Sequence, residues 1–148
     1  MPNGGAIPPI EPDELLYRRI QAAHYDAAKS EYPEFLAFRP NEHDLDGLSL
    51  SRAKMMSPKA VALGRARPGS QYYAAAIQVS AITGLNLSLV TDDKRPLLSG
   101  EVANPAHVVI PELNAAVRRD ATTAALAQKL SRKIVLPVYG PFSLDDTP

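Results

Sequence analysis

The chain has 148 residues, which is enough for one domain and too few for two of ordinary size. Its 16 basic and 16 acidic residues cancel, which argues against a strongly basic nucleic-acid-binding protein, and it has no cysteine for disulfides, thiol nucleophiles or zinc–thiolate sites. No apolar run approaches the roughly 20 residues that span a bilayer, and the N-terminus lacks a secretory pattern. We therefore expect a cytoplasmic protein without a membrane partner.

The N-terminal third contains a leader and an ambiguous segment. Residues 1–12 carry four prolines and two glycines, which predicts a flexible leader before a single domain at 13–142 and a flexible tail at 143–148. Apolar residues between positions 13 and 29 recur at helical spacing, but residues 15–20 can equally form a strand. We favour a helix for 21–29 and leave 15–20 open.

Short elements bounded by proline and glycine follow in the middle of the chain. Residues 35–38 predict a short strand, and the alternation of Leu and Ser at 48–51 predicts another. Residues 58–63 suit a helix, with Ser57 as its cap and Gly64 as its stop. Large β-branched and aromatic residues favour a strand over a helix at 72–79.

The C-terminal half continues the pattern of short elements. The alternation of Leu85, Leu87 and Leu89 is the clearest strand pattern in the chain. A long loop at 91–105 precedes a strand at 106–110, a helix at 116–133 and a last strand at 134–136. These elements predict one compact α+β domain: a small mixed or antiparallel sheet of four to six short strands with two or three helices.

Polar residues of several chemical types are concentrated between positions 38 and 52, next to a strand end, where binding sites are often built. We expect a ligand-binding surface formed by loops 39–47 and 91–105. The residues assigned to it are Arg39, His43, Arg52 and His107. Turn chemistry alone explains most of the other residues of loop 39–47, and His107 alone is typical of a hydrogen-bonded structural residue.

Motifs for other chemistry are missing. The candidate metal ligands have no diagnostic spacing, so no metal site is predicted; they are His43, Asp44, Asp46, His107 and Glu112. The chain has no G-x-S-x-G nucleophile elbow, no phosphate-binding loop and no dinucleotide-binding glycine pattern. The basic face of the helix at 116–133 is more typical of a solvated surface than of a nucleic-acid contact.

Residues 38–63 nevertheless resemble a known family. The run Phe38-Arg39-Pro40-Asn41, then Gly47-Leu48-Ser49-Leu50-Ser51, then Ser57 to Leu63 resembles the corresponding run of RES-type toxins. That family belongs to the ADP-ribosyltransferase-like group, which consumes NAD.

The resemblance implies a set of roles in this chain. Arg18 or Arg19 would hold the dinucleotide phosphates, and Ser49 and Ser51 would shape the nicotinamide pocket. Glu101 or Glu112 would orient the ribose, and Arg19 and Glu112 are the preferred assignments. The assignment requires residues 15–20 to form a strand, because a continuous helix over 13–29 would carry both arginines away from the serines.

Two function classes follow. The leading hypothesis is a non-catalytic binding or interaction domain that takes a protein partner or a small ligand, without nucleic acid and with no cofactor. The alternative is an enzyme that consumes NAD as a substrate through Arg19, Ser49, Ser51 and Glu112. A homo-oligomer is left open.

Overall fold

The computed structural model describes residues 7–97 and 99–146, which form one six-stranded antiparallel sheet with three α-helices. The strands are β1 Leu15–Gln21, β2 Leu48–Arg52, β3 Tyr72–Gln78, β4 Val90–Thr91, β5 His107–Ile110 and β6 Ile134–Phe142. The helices are α1 Pro58–Leu63, α2 Val79–Thr83 and α3 Ala121–Arg132. The order across the sheet is β4-β5-β2-β1-β3-β6, which confirms the predicted α+β class.

The two faces of the sheet differ because side chains alternate along a strand. Six apolar side chains of β1, β2 and β5 face the main core together with Ala127 and Leu130 of α3; they are Leu16, Ile20, Leu48, Leu50, Val108 and Ile110. Phe38 is fully buried in the same core. The residues between them in sequence face the other side of the sheet, which carries most of the polar side chains considered below.

Several predicted elements are confirmed. Strands form at 48–52 and 72–78, and α1 begins after Ser57, whose hydroxyl accepts a hydrogen bond from the Ala60 N–H at 3.1 Å. The C-terminal helix is shorter than predicted. It starts at Ala121, and residues 115–117 form a separate 3-10 turn.

The predicted helix at 21–29 is wrong. Residues 15–21 form β1, whose pairing with β3 continues to Gln21 opposite Tyr72, and only Ala22–His24 form a 3-10 turn. Beyond that turn, the Asp26 carboxylate accepts a hydrogen bond from the Ala28 N–H. Such local side-chain bonds compete with helical hydrogen bonding, so the chain turns instead.

Two predicted strands are also wrong. Residues 35–38 form a 3-10 helix, and the carbonyl of Ala37 accepts from the Arg18 side chain at 2.8 Å rather than from a neighbouring strand. Of the alternating leucines at 85–89, Leu85 lies in a turn after α2 and the other two lie in irregular chain beyond it. Asn86 in that turn adopts a positive φ of 63°, which a strand cannot contain. The strand in this region is the two-residue β4.

The last strand runs further than predicted. It continues through Pro137 and Pro141 to Phe142, although Pro137 was expected to end it. Proline cannot donate to a hydrogen-bonded ladder, but β6 is the outer strand, with register shifts against β3. An edge position tolerates missing donors because one side of the strand has no partner in the sheet.

The structure describes part of the predicted N-terminal leader and part of the predicted C-terminal tail. The carbonyls of Pro8 and Pro9 accept hydrogen bonds from the Arg52 guanidinium, and Leu144–Asp146 form a 3-10 turn. The rest of the predicted leader, residues 1–6, and positions 147–148 of the predicted tail lie outside the described residues. Within 7–97 and 99–146, no helix is long and apolar enough to cross a membrane.

Candidate functional site

One face of the sheet gathers polar side chains from three adjacent strands. Tyr17 of β1 lies opposite Ser51 of β2, and Ser51 lies opposite His107 of β5, so these three share a face. Arg19 and Ser49 lie two residues along from Tyr17 and Ser51 and therefore share it too. We call this set, Tyr17, Arg19, Ser49, Ser51 and His107, the polar face.

Arg19 is the unusual member of the polar face. Its guanidinium carbon lies 5.0 Å from the centre of the Tyr72 ring, a cation–π distance. Its Nη1 is the one buried side-chain nitrogen or oxygen without a hydrogen-bond partner in the part of the chain that the structure describes. A buried donor without an acceptor is costly, and an anion placed there would relieve that cost.

The neighbouring arginine has a different role. Arg18 points to the core side of β1 and donates to the carbonyls of Ala37 at 2.8 Å and Ser49 at 2.9 Å. Burial lowers the pKa of Arg18, although Asp44 opposes that effect. Strands β1 and β2 pair at two positions, Leu16 with Arg52 and Tyr17 with Ser51. Past these two pairs, the hydrogen bond of the Arg18 side chain to the Ser49 carbonyl connects the two strands.

Ser49, His107 and Asp92 form a continuous hydrogen-bonded chain. The Ser49 Oγ lies 3.0 Å from His107 Nε2, and His107 Nδ1 lies 2.9 Å from Asp92 Oδ1. Asp92 is 1% exposed, and the 3-10 turn that carries it, Asp92–Lys94, directly follows β4. Because β4 and β2 both pair with β5, the fold brings Asp92 to one side of His107 and Ser49 to the other.

Asp92 is held as a carboxylate by several donors. Burial alone would raise its pKa, but hydrogen bonds with His107, the Asn104 N–H and Arg95 outweigh burial and hold the pKa below its usual value. The Arg95 Nε donates to Asp92 Oδ1 at 2.6 Å. The carboxylate is therefore charged at neutral pH and accepts every one of these bonds.

Arg95 also joins the two loops that the sequence assigns to the binding surface. Its Nη1 lies 3.1 Å from the Asp46 carboxylate in loop 39–47 and 3.4 Å from Glu101 within loop 91–105. Burial alone would lower the pKa of Arg95, but its hydrogen bonds with Asp92, Asp46 and Glu101 outweigh burial and raise the pKa above its usual value. Loop 91–105 in turn borders the polar face, because Asp92 contacts His107.

The other predicted ligand-binding residues lie in different settings. Arg52 is fully buried, and its three guanidinium nitrogens are bonded to Glu14, Pro8 and Pro9. Arg39 is exposed, and the side chain of His43 is 85% exposed beside Glu42. The structure therefore brings His107 to the polar face but places Arg39 and His43 on the surface and Arg52 inside.

The preferred carboxylate of the NAD hypothesis is engaged elsewhere. Glu112 follows β5 and accepts hydrogen bonds from the Ser88 N–H at 3.0 Å and the Ser88 hydroxyl at 2.6 Å. These bonds outweigh burial and hold the pKa of Glu112 below its usual value. Over residues 7–97 and 99–146, no group of three or more His, Asp or Glu side chains is arranged to hold a metal ion.

Sequence reasoning missed Asp92, Arg95 and Tyr72. Asp92 and Asp93 are adjacent and chemically identical, yet only Asp92 is buried. The short strand β4 before them could have indicated which aspartate points inward, but the stronger alternation at 85–89 obscured it. Tyr72 was expected in a strand, and its contact with Arg19 depends on the pairing of β1 with β3.

The fold and the polar face define an α+β domain with a candidate anion site. No protein-family model, curated protein or solved structure matches this chain. The resemblance of residues 38–63 to RES-type toxins therefore stays a prediction.

Proposed function

We propose that this protein is a binding domain for a small anionic ligand, held on the polar face by Arg19. The observation that carries the proposal is the buried Nη1 of Arg19, which has no hydrogen-bond partner in the described part of the chain. A guanidinium group binds a phosphate or carboxylate through two parallel hydrogen bonds. Such a ligand would satisfy the unpaired donor and neutralise the charge at once.

The surroundings of Arg19 support a ligand rather than a structural ion pair. Among the described residues, no carboxylate lies within ion-pair distance of the Arg19 guanidinium, unlike those of Arg52 and Arg95, which each contact at least one. The hydroxyl-bearing residues Ser49 and Ser51 share its face and can bind further polar groups of a ligand. Loop 91–105 reaches this surface through the contact of Asp92 with His107, and Arg95 joins it to Asp46 of loop 39–47.

NAD consumption is the second candidate, and one observation favours it. Residues 15–21 form a strand, as that hypothesis requires, and Arg19 therefore shares a face with Ser49 and Ser51. The arginine would bind the dinucleotide phosphates. Glu112 would have to leave Ser88 to stabilise the positive charge that develops on the ribose as nicotinamide departs. Under this proposal the protein is a cytoplasmic, toxin-type enzyme with NAD as its substrate.

Ligand-observed proton NMR separates the two candidates. NAD, ADP-ribose and inorganic phosphate are each added to the purified full chain, and both line broadening and free nicotinamide are followed. The test variant is Arg19→Met, which keeps the side-chain bulk and removes the charge. The matched control is Arg39→Met, because Arg39 is an exposed arginine in loop 39–47, which the sequence assigns to the binding surface.

Each outcome decides between the assignments. Broadening that disappears in Arg19→Met and persists in Arg39→Met supports the polar face as the anion site. Loss in Arg39→Met alone would assign the ligand to loop 39–47, and no broadening by any of the three anions at millimolar concentration would contradict the proposal. Nicotinamide release that stops in Arg19→Met would instead support the second candidate, an enzyme that consumes NAD.

A further inference from the structure

We propose that Ser49, His107 and Asp92 form a nucleophile-activating relay, which makes the protein a serine-dependent esterase. The sequence does not display a nucleophile elbow, and Ser49 instead lies within strand β2. A relay is defined by geometry and roles rather than by its position in a motif. The two distances, 3.0 Å and 2.9 Å, lie within hydrogen-bond reach for a nucleophile–base pair and a base–carboxylate pair.

The direction of each hydrogen bond follows from the charge on Asp92. An ionised carboxylate only accepts, so His107 Nδ1 must carry the proton that joins it to Asp92. When the imidazole is neutral, its Nε2 is then an acceptor, and the Ser49 hydroxyl donates the bond at 3.0 Å. That is the tautomer in which His107 can take the serine proton.

Exposure along the relay also matches this role. Asp92 is 1% exposed, the side chain of His107 is 21% exposed, and Ser49 is partly exposed. The charged end is thus shielded from water, while Ser49 and His107 on the polar face are partly exposed. Arg95 and the Asn104 N–H already bind the Asp92 carboxylate, so Asp92 has hydrogen-bond partners besides His107.

The reaction is a two-step acyl transfer to water. The Ser49 Oγ attacks the carbonyl carbon of an ester as its proton moves to His107 Nε2, and the carbonyl electron pair becomes an oxyanion. The oxyanion collapses, the C–O bond to the alcohol breaks, and the departing oxygen takes the proton from His107. Water then attacks the acyl-serine by the same route and releases the acid and the free Ser49 hydroxyl.

The substrate class follows from the neighbouring charge, and this part rests on the proposed anion site. Arg19 shares the face with Ser49, so the ester should carry a carboxylate or phosphate at a distance from its reacting carbonyl. Binding energy from a remote group of this kind positions the reacting carbonyl against the nucleophile.

Covalent labelling tests the relay without depending on Arg19. The full chain is incubated with an uncharged fluorophosphonate, whose phosphorus is attacked by an activated serine with loss of fluoride, and adducts are located by mass spectrometry. Fragmentation of the tryptic peptide 30–52 distinguishes Ser49 from Ser51. We expect one adduct on Ser49, none in Ser49→Ala, and labelling at least about 100-fold slower in His107→Gln. The control Ser80→Ala removes an exposed serine of α2 and should label at the original rate.

The tautomer of His107 gives a readout that a purely structural network would not need. Two-bond nitrogen–proton correlation NMR should show the proton on Nδ1 of the neutral ring, with the signal assigned by its absence in His107→Gln. A proton on Nε2 would overturn the proposal, because Ser49 would then accept and could not pass its proton to the ring. No adduct, or one on Ser51, would also overturn it, and anion binding measured separately shows whether the Arg19 site stands.

Labelling and turnover separate the two parts of the inference. Arg19→Met should lose the preference for a nitrophenyl ester with an anionic acyl group over its neutral counterpart. Equal hydrolysis of the two esters by the original chain would contradict the substrate class and leave the relay to be judged by labelling.

Discussion

The Arg52–Glu14 ion pair offers a stability test of the fold. Arg52 is fully buried and makes four hydrogen bonds, two of them to the Glu14 carboxylate. Arg52→Met would leave that carboxylate with Lys54 as its cationic partner at 3.6 Å, and would also leave the carbonyls of Pro8 and Pro9 without these donors. Removing one partner of a buried pair costs about 3–5 kcal/mol, so we expect a loss of that size in the free energy of unfolding.

Urea denaturation measures this loss in the free energy of unfolding directly. In thermal denaturation, a domain of this size loses about 2–4 °C per kcal/mol, so the melting temperature should fall by about 6–20 °C. Arg119→Met, which alters an exposed arginine, should change stability by no more than about 0.5 kcal/mol. Adding Glu14→Gln to Arg52→Met should restore part of the loss, because no buried charge then remains unpaired. A cost below about 1 kcal/mol for Arg52→Met would refute the reasoning that Arg52 stabilises the fold through Glu14 and the carbonyls of Pro8 and Pro9.

Three further outcomes are expected. Gly47→Ala should cost more than about 2 kcal/mol in urea denaturation, since φ is +133° and the added Cβ would overlap the Ile110 carbonyl. Gly69→Ala, also at positive φ but in open space, should cost only about 1–2 kcal/mol. The stability that Asp92 contributes is present above its unfolded pKa of 3.8 and is lost as pH falls through the lower folded-state pKa. The difference in unfolding free energy between the original chain and Asp92→Asn should therefore shrink in acid, and a constant difference would contradict the direction of that shift. Ser57→Ala should cost about 1 kcal/mol through loss of the α1 cap, measured by thermal melting, and no change would argue against the cap.

The fold was predictable where local pattern and local partners agree. Residues 48–51 alternate strictly and lie between two strands, and Ser57-Pro58 begins α1 through its own hydroxyl. The sequence pattern gave the wrong element where contacts elsewhere in the fold determine the local conformation. Leu85, Leu87 and Leu89 alternate like a strand, yet a positive φ at Asn86 turns the chain there.

The candidate site was predictable only in part. Strand parity places Arg19 on the face of Ser49 and Ser51 once β1 and β2 are known to be neighbours. That β2 lies between β1 and β5 is a long-range pairing with no local signal, and it brings His107 to Ser49. The sequence pattern also could not show that Arg52 forms a buried ion pair with Glu14, because Glu14 lies 38 residues earlier in the chain.

The outer strand β6 carries a consequence for the behaviour of this protein at high concentration. It is nine residues long, and Val135, Leu136 and Tyr139 on it are each more than a third exposed. A long apolar edge of this kind invites other chains to extend the sheet and aggregate. Pro137 and Pro141 supply no N–H, and proline within an edge strand disfavours the addition of another strand to the sheet. The prolines that interrupt this strand thereby protect the open edge of the sheet.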